Sequence, residues 1–282
     1  MSSATLAQHH HGRTVGDAPS IVLVHGWPDS AAVWDLVVPH LTDRFHVAAV
    51  DLPGVGDAPP AIGRRPYRLD ALAPALDDVV HSLDTDRGVH LVGHDWGGVL
   101  GWELVMTPAY AARLSSFTVL SGPSLDHLGL LARKAPGDAA TARVVADQLA
   151  RSWYTTALSL PVLRTIIWRA GADRAFRRWL HRSEGVEGYP GEHLARDAAG
   201  AVPLYRTNIV PRLLAPRARP VTIPVHVIVA EQDRYVAPGT MRALEEWIPQ
   251  LHTSSLDAGH WSPRTQPEQV ATLVTEWVQQ LS

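Results

Sequence analysis

The sequence predicts an α/β architecture: a mostly parallel, twisted sheet with helices on both faces, interrupted by an inserted all-helical unit. Three observations carry this. Short apolar, β-branched runs alternate with segments of helical spacing along most of the chain. At Gly93-His94-Asp95-Trp96-Gly97 an apolar run, Val89 to Val92, meets a second one, Val99 to Met106, through a glycine-flanked turn. The composition also changes between Ser124 and Pro220, where 15 Lys and Arg stand against 8 Asp and Glu, while the remainder carries 10 against 20. Residues 1–123 and 221–282 are therefore read as one core, and 124–220 as a helical cap inserted into it.

Taken in order, Met1 to Ser20 is polar and weakly patterned, and reads as a solvent-exposed terminal segment. Its His9-His10-His11 tract is read as part of that segment rather than as a metal tract. Ile21-Val22-Leu23-Val24 predicts a buried strand, followed by the loop His25-Gly26-Trp27-Pro28. Ala31 to Leu41 has helical spacing, and Phe45 to Val50 predicts a strand ending in the turn cluster Asp51-Leu52-Pro53-Gly54. Leu69 to Leu83 predicts an amphipathic helix through Leu72, Leu76, Val79, Val80 and Leu83. The strand from Val89, the Asp95 turn and its helix come next, then a strand over Leu114 to Leu120, stopped by Gly122-Pro123. After the cap, Ile223 to Ala230 restores the strand signal. Thr240 to Ile248 predicts a helix, Thr253 to Leu256 a short strand and Pro267 to Gln280 the last helix.

Bulk properties remove several classes of function. The net charge of −3 argues against a nucleic-acid partner. With 0 cysteines there is neither a disulfide framework nor a thiolate metal site. No apolar run approaches the ~18 residues of a membrane span, and the first twenty residues lack the apolar region of a signal peptide. The expectation is a soluble cytoplasmic protein with no metal and no cofactor. Self-association as a homodimer is left open.

The turn at Asp95 has the spacing G-x-nucleophile-x-G, in which a strand bends sharply into a helix and leaves no room for flanking side chains. A carboxylate at that position attacks carbon directly and forms an ester on itself. Such a site needs an acid and then a histidine, in that chain order. Asp233 follows the Ile223–Ala230 strand and His260 follows the Thr253 strand, with Asp126 as a rival for the acid. Carboxyl ends of strands gather at one place in open α/β sheets, so Asp95, Asp233 and His260 are expected to converge. Asp95 needs no base to attack; His260 is needed afterwards, to take a proton from the water that hydrolyses the ester, with Asp233 orienting the imidazole. The resulting oxyanion calls for backbone N–H donors, expected at Trp96 and Trp27, and the Trp27-Pro28 bond is expected to be cis.

The series His25-Gly26-Trp27-Pro28-Asp29-Ser30, Asp51-Leu52-Pro53-Gly54, Gly93-His94-Asp95-Trp96-Gly97-Gly98 and Gly259-His260-Trp261 resembles the epoxide hydrolase branch of the α/β-hydrolase superfamily. The similarity covers nearly all the core. It implies a cofactor-independent enzyme that opens a small epoxide to a vicinal diol. It also implies two cap tyrosines that hydrogen-bond the epoxide oxygen. Tyr154, in Ser152-Trp153-Tyr154-Thr155 ahead of Pro161, and Tyr205, in Leu204-Tyr205-Arg206-Thr207-Asn208, match those places. A phenol there donates to an alkoxide, which is otherwise a poor leaving group. His25, Pro28, Trp153 and Trp261 are expected to line the substrate pocket, and Trp153, Trp168 and Trp179 to make it mostly apolar. Ser121-Gly122-Pro123-Ser124-Leu125-Asp126-His127 resembles domains that in some proteins are fused to a short-chain dehydrogenase; this chain ends at Ser282 and is expected to lack that partner.

Haloalkane and haloacid dehalogenases share an Asp nucleophile and form the alternative. Two departures weigh against them: Trp96, Gly97 and Gly98 stand where fluoroacetate dehalogenases carry an arginine, and Trp27 stands where haloalkane dehalogenases carry an asparagine. Indole N–H groups of Trp27, Trp96 and Trp153 keep a halide site conceivable. A non-enzymatic binding protein on the same fold is the weaker alternative, since all three triad members are retained. The basic cap is read as a solvated Arg-rich surface.

Overall fold

The computed structural model describes residues 4–155 and 172–281. Pro161 and Trp168 lie outside them. Seven strands form one sheet in the order β1-β3-β2-β4-β5-β6-β7. They are β1 (Ala7–Gly12), β2 (Ser20–Val24), β3 (His46–Asp51), β4 (Val89–His94), β5 (Ser116–Leu120), β6 (Val225–Ala230) and β7 (Leu251–Leu256). β1 runs antiparallel to β3, and every other pairing is parallel.

Strands β2 to β6 are buried at every residue, as apolar strands must be when helices cover both faces. Alternation divides their side chains between two cores. Val22, Val24, Ala48, Val50 and Leu91 face Leu72, Leu76, Val79 and Val80 of helix α1 (Leu69–Ser82). Ile21, Leu23, Val47, Ala49 and Val92 face Val270, Val274 and Val278 of the C-terminal helix Pro267–Gln280. Helix α2 (Trp96–Val105) follows β4 and α3 (Pro108–Ala111) leads to β5.

Between β5 and β6 the described residues contain no strand. They form α4 (Leu125–Lys134), α5 (Ala139–Arg151), α6 (Ala172–Glu184), α7 (Leu194–Ala201) and α8 (Pro203–Leu214). Part of the basic charge of this region is not a solvated surface. Arg219 donates to Glu103 at 3.0 and 2.8 Å and to Asp126 at 2.8 Å, and Arg212 also pairs with Glu103. These largely buried pairs tie the end of the insertion to α2 and α4.

Three expectations need correction. The N-terminal segment is not unpatterned: Ala7–Gly12 is the edge strand, which pairs on one side only and so needs no apolar run. Ala31 to Leu41 forms two short 3-10 turns, Ala31–Trp34 and Val38–His40; Pro39, near its end, has no N–H for the Asp35 carbonyl and its ring would clash with that carbonyl in a continuous helix. Thr240 to Ile248 is helical only over Pro238–Arg242, and its remainder runs as turns, one closed by Trp247 N–H to the Leu244 carbonyl.

Candidate active site

Asp95 sits between β4 and α2 at φ 48°, ψ −118°, a backbone conformation that side chains rarely adopt. Steric necessity explains the glycines around it. A Cβ on Gly97 would lie 2.1 Å from the Val24 carbonyl oxygen, and one on Gly93 would lie 2.6 Å from the Gly97 backbone. Gly26 in the loop after β2 passes so close that a Cβ there would overlap the Asp95 side chain at 2.3 Å. The Asp95 N–H donates to the Leu120 carbonyl at 3.0 Å, which fixes the turn to the end of β5.

Register aligns the other strand ends: His94 pairs with Leu120, and Ala230 with Leu256. The loops that leave β6 and β7 there deliver Asp233 and His260. His260 Nδ1 donates to Asp233 Oδ2 at 3.0 Å, while Nε2 faces Asp95 Oδ2 at 3.6 Å. Asp233 Oδ1 accepts the Tyr235 and Val236 N–H groups at 2.7 and 3.0 Å. The structure thus brings Asp95, His260 and Asp233 together. It leaves the rival Asp126 with Arg219 and Arg212 instead.

Electrostatics follow from that geometry. Burial alone would lower the His260 pKa, but the Asp233 and Asp95 carboxylates override it and raise it well above the ordinary imidazole value. Burial would raise Asp233, yet His260 beside it brings it below the usual carboxylate value. Burial raises Asp95, opposed by His260 and by the Trp96 backbone N–H. His94 Nε2 donates to the His260 carbonyl at 2.9 Å, and burial pushes its pKa down to about 3. Below lies Asp29, raised by burial to about 6, which accepts Tyr189 Oη at 2.7 Å and the Trp261 indole N–H at 3.1 Å.

Both cap tyrosines come to this place. Tyr205, on α8, is 3% exposed, with its ring 4.9 Å from Trp96 and 5.5 Å from Trp27. The rings of Tyr154 and Tyr205 are 6.4 Å apart and meet edge to face. Burial raises both phenols well above their usual value, and the Asp95 carboxylate reinforces this in each.

The remaining expected residues divide. Trp27-Pro28 is cis, and Pro28 is buried; the Trp27 indole N–H is engaged by the Ala198 carbonyl of the cap at 2.9 Å. Two expectations fail. Trp153 is 73% exposed and does not line the site, because successive helical side chains point about 100° apart and Tyr154 takes the inward direction. His25 is fully buried and lines nothing: Nδ1 donates to the Gly26 carbonyl at 2.7 Å and Nε2 accepts the Leu52 N–H at 3.0 Å. Trp261 packs its ring 4.8 Å from His260 and turns its N–H down to Asp29.

Sequence reasoning missed several neighbours. Tyr235 packs 5.0 Å from the His260 ring and 5.3 Å from Tyr154. Gln148 on α5 bonds the Tyr235 carbonyl and the Ala237 N–H, both at 2.9 Å, and Arg151 bonds the Asp233 carbonyl. Only the spacing Gln148, Arg151, Tyr154 along one helical direction hinted at a shared face.

The family described as the alpha/beta hydrolase fold matches residues 19–265. This chain belongs to the α/β-hydrolase fold family. The α/β-hydrolase is 35% identical to a Mycobacterium tuberculosis protein named probable oxidoreductase EphD, over 96% of this chain and 47% of that protein. It is 25% identical to the bifunctional epoxide hydrolase 2 of Sus scrofa, over 95% of this chain and 53% of that protein. The chain therefore spans about half the length of these curated relatives. Among solved structures, an epoxide hydrolase of Bacillus megaterium in complex with an inhibitor superposes with a TM-score of 0.81 at 20% identity, covering 98% of this chain and 97% of that one. Its likeness concerns the fold. No helix among the described residues is long and apolar enough to cross a membrane.

Proposed function

We propose that this α/β-hydrolase opens an epoxide to a vicinal diol through a covalent ester on Asp95. The Asp95 carboxylate attacks one ring carbon and the C–O bond to the ring oxygen breaks. That oxygen takes a hydrogen bond and then a proton from Tyr154 or Tyr205 as charge builds on it. A hydroxyalkyl ester of Asp95 remains. Its formation removes the negative charge that stood 3.6 Å from His260 and helped raise the imidazole pKa. Losing that charge lowers the imidazole pKa, which favours the neutral form in the state that needs a base. It takes a proton from water, the hydroxide attacks the ester carbonyl carbon, and the Trp27 and Trp96 backbone N–H groups receive the oxyanion. Collapse expels the diol oxygen, which takes the proton from His260, and the carboxylic acid left on Asp95 returns its proton to the tyrosinate, restoring both the Asp95 carboxylate and the phenol.

One observation carries the epoxide reading: two cap phenols, Tyr205 buried and Tyr154 half-buried with rings 6.4 Å apart, both sense the Asp95 carboxylate. Burial keeps them protonated, as a donor to a nascent alkoxide must be. Names of the relatives support the same reading. Halide displacement is supported less well, because two of the indoles that would clamp a halide are turned elsewhere: Trp27 to Ala198 and Trp153 to solvent.

A single turnover in heavy-oxygen water tests the ester. The first-turnover diol should carry an unlabelled oxygen from Asp95, with the label entering the enzyme. Label in the diol on that turnover would mean that water attacks the epoxide directly. His260→Ala should accumulate the ester, detected as added intact mass. A panel of terminal, internal and aryl epoxides beside haloalkanes and haloacetates then separates the two reactions.

A further inference from the structure

At the far edge of the sheet, β1 carries three histidines that the reaction does not use. Alternation sends His9 and His11 to one face and His10 to the other. His10 Nδ1 lies 3.0 Å from His46 Nε2, and His46 Nδ1 donates to the Arg13 carbonyl at 2.6 Å. On the opposite face His9 Nε2 lies 2.8 Å from Asp51 Oδ2, its diagonal neighbour across the β1–β3 ladder. Asp57 completes a group in which one ligand atom from each residue lies within 4.8 Å of the others.

This is a built arrangement. Asp51 is 2% exposed and its carboxylate is already oriented: Oδ1 accepts the Ala31 N–H at 2.7 Å and Oδ2 the Asp57 N–H at 3.0 Å. Fixing a ligand's orientation in this way is what an outer shell does for a metal. Gly56, at φ +54°, lets the loop fold over Asp51; a Cβ there would overlap the carboxylate at 2.2 Å. No arginine neutralises the pair among the described ion pairs: Arg196, beside this loop, bonds Asp197 and the Gly56 carbonyl. His25, 3.9 Å from Asp51, adds no charge, since burial lowers its pKa and the Leu52 N–H occupies the facing nitrogen. Asp35 also lies within electrostatic reach of His9 and His11.

We propose that His9, Asp51 and Asp57 form a divalent transition-metal site of the zinc kind, tying β1 and the Gly56 loop to the end of β3. One imidazole and two carboxylates suit Zn²⁺, with water completing the shell. In the metal-free protein His9 Nε2 bonds Asp51 Oδ2 at 2.8 Å; on binding, Nε2 turns its lone pair to the metal and the neutral ring carries its proton on Nδ1. The ion would hold structure, on the side of Asp51 away from the Ala31 N–H, and takes no part in the proposed reaction.

The test is calorimetric titration of the full chain with Zn²⁺ after chelator treatment, with thermal unfolding in parallel. One ion per chain is expected, together with a rise in the unfolding midpoint. His9→Ala and Asp57→Asn should each weaken binding at least about tenfold and remove that rise. His10→Ala should bind within about twofold of the parent, because its ring is on the other face. His9→Gln, which keeps a donor to Asp51, guards against loss of the edge strand and should also lose the ion. Absence of stoichiometric binding overturns the proposal. So does an Asp57→Asn variant that binds like the parent while His10→Ala fails, which would make the tract a flexible chelator.

Discussion

The two halves of the proposed site are held in place by different physics. Asp95, Asp233 and His260 each stand just past the end of a parallel strand, so the register of β4, β6 and β7 sets their positions. Tyr154 and Tyr205 arrive from the cap, which is held to the core by the packing of Ala201, Leu204 and Tyr205 and by side-chain bonds. Asn208, one turn after Tyr205, accepts the Leu69 N–H at 2.9 Å and donates to the Tyr67 carbonyl at 2.8 Å. Gln148 and Arg151 grip the Asp233 loop. The core half is therefore built into the sheet, whereas the cap half is positioned by side-chain contacts alone. Substitutions in the first should remove chemistry outright; substitutions in the second should grade it.

The largest effect belongs to Asp95. Asp95→Ala should lower kcat/KM for epoxides by at least about 10⁴, since residues acting as a unit lose most of their catalysis together. Substantial residual turnover would mean that the cap alone activates the epoxide. Asp233→Asn should follow, with a loss on the order of 10²–10⁴. Asp126→Asn should stay within a few-fold, because Asp126 pairs with Arg219 rather than His260. The pH profile sharpens this contrast. Asp233 raises the His260 pKa, so its neutralisation must lower that pKa. The hydrolytic step requires neutral His260, so its acid limb should move to lower pH in Asp233→Asn. An unmoved limb, measured by rapid-quench decay of the ester, would assign it to another group.

The cap half comes next. Tyr205→Phe should reduce the ring-opening rate by about 10²–10³, the cost of one preorganised donor. Epoxide binding should change less, because the donor matters most as charge develops. Any haloalkane turnover should barely move, since a halide leaves without a proton. The reverse pattern, with epoxide turnover at the parent rate and haloalkane turnover lost, would reassign the chain as a dehalogenase.

Legibility in the sequence follows the same division. The elbow could be read because its constraint is local: Gly93 and Gly97 have no room for a side chain. Asp233 and His260 could be read because strand ends converge in any parallel sheet. Asp29, Gln148 and Arg151 could not, because each acts on a partner far away in the chain: Trp261 for Asp29, Tyr235 for Gln148, Asp233 for Arg151. His25 and Trp153 failed for a related reason. Proximity to a motif does not reveal which way a side chain points, and His25 turns into the protein while Trp153 turns out. The β1 edge strand was missed because its histidines carry no apolar alternation.

Gln148 is where the contrast can be tested most finely, with the smallest expected effect. Its amide spans two backbone groups of the Asp233 loop: Nε2 donates to the Tyr235 carbonyl and Oε1 accepts the N–H of the fully buried Ala237, each at 2.9 Å. Gln148→Leu keeps the volume and removes both bonds, leaving the Ala237 N–H unpaired, so stability should fall by about 1–3 kcal/mol. Turnover should fall by about tenfold, for a clamp that moves a donor by a fraction of an ångström costs less than deleting it. The route of that loss is separable. If Gln148 acts by holding α5, and with it Tyr154, then in a Tyr154→Phe background the further loss should shrink to within about twofold, since two changes to one contact do not add. If it acts instead by steadying Asp233, the loss persists in that background and the acid limb of ester hydrolysis moves as it does for Asp233→Asn. In the second case the division between a sheet-built half and a cap-built half fails at this residue, because the cap would then be positioning the triad as well as the tyrosines.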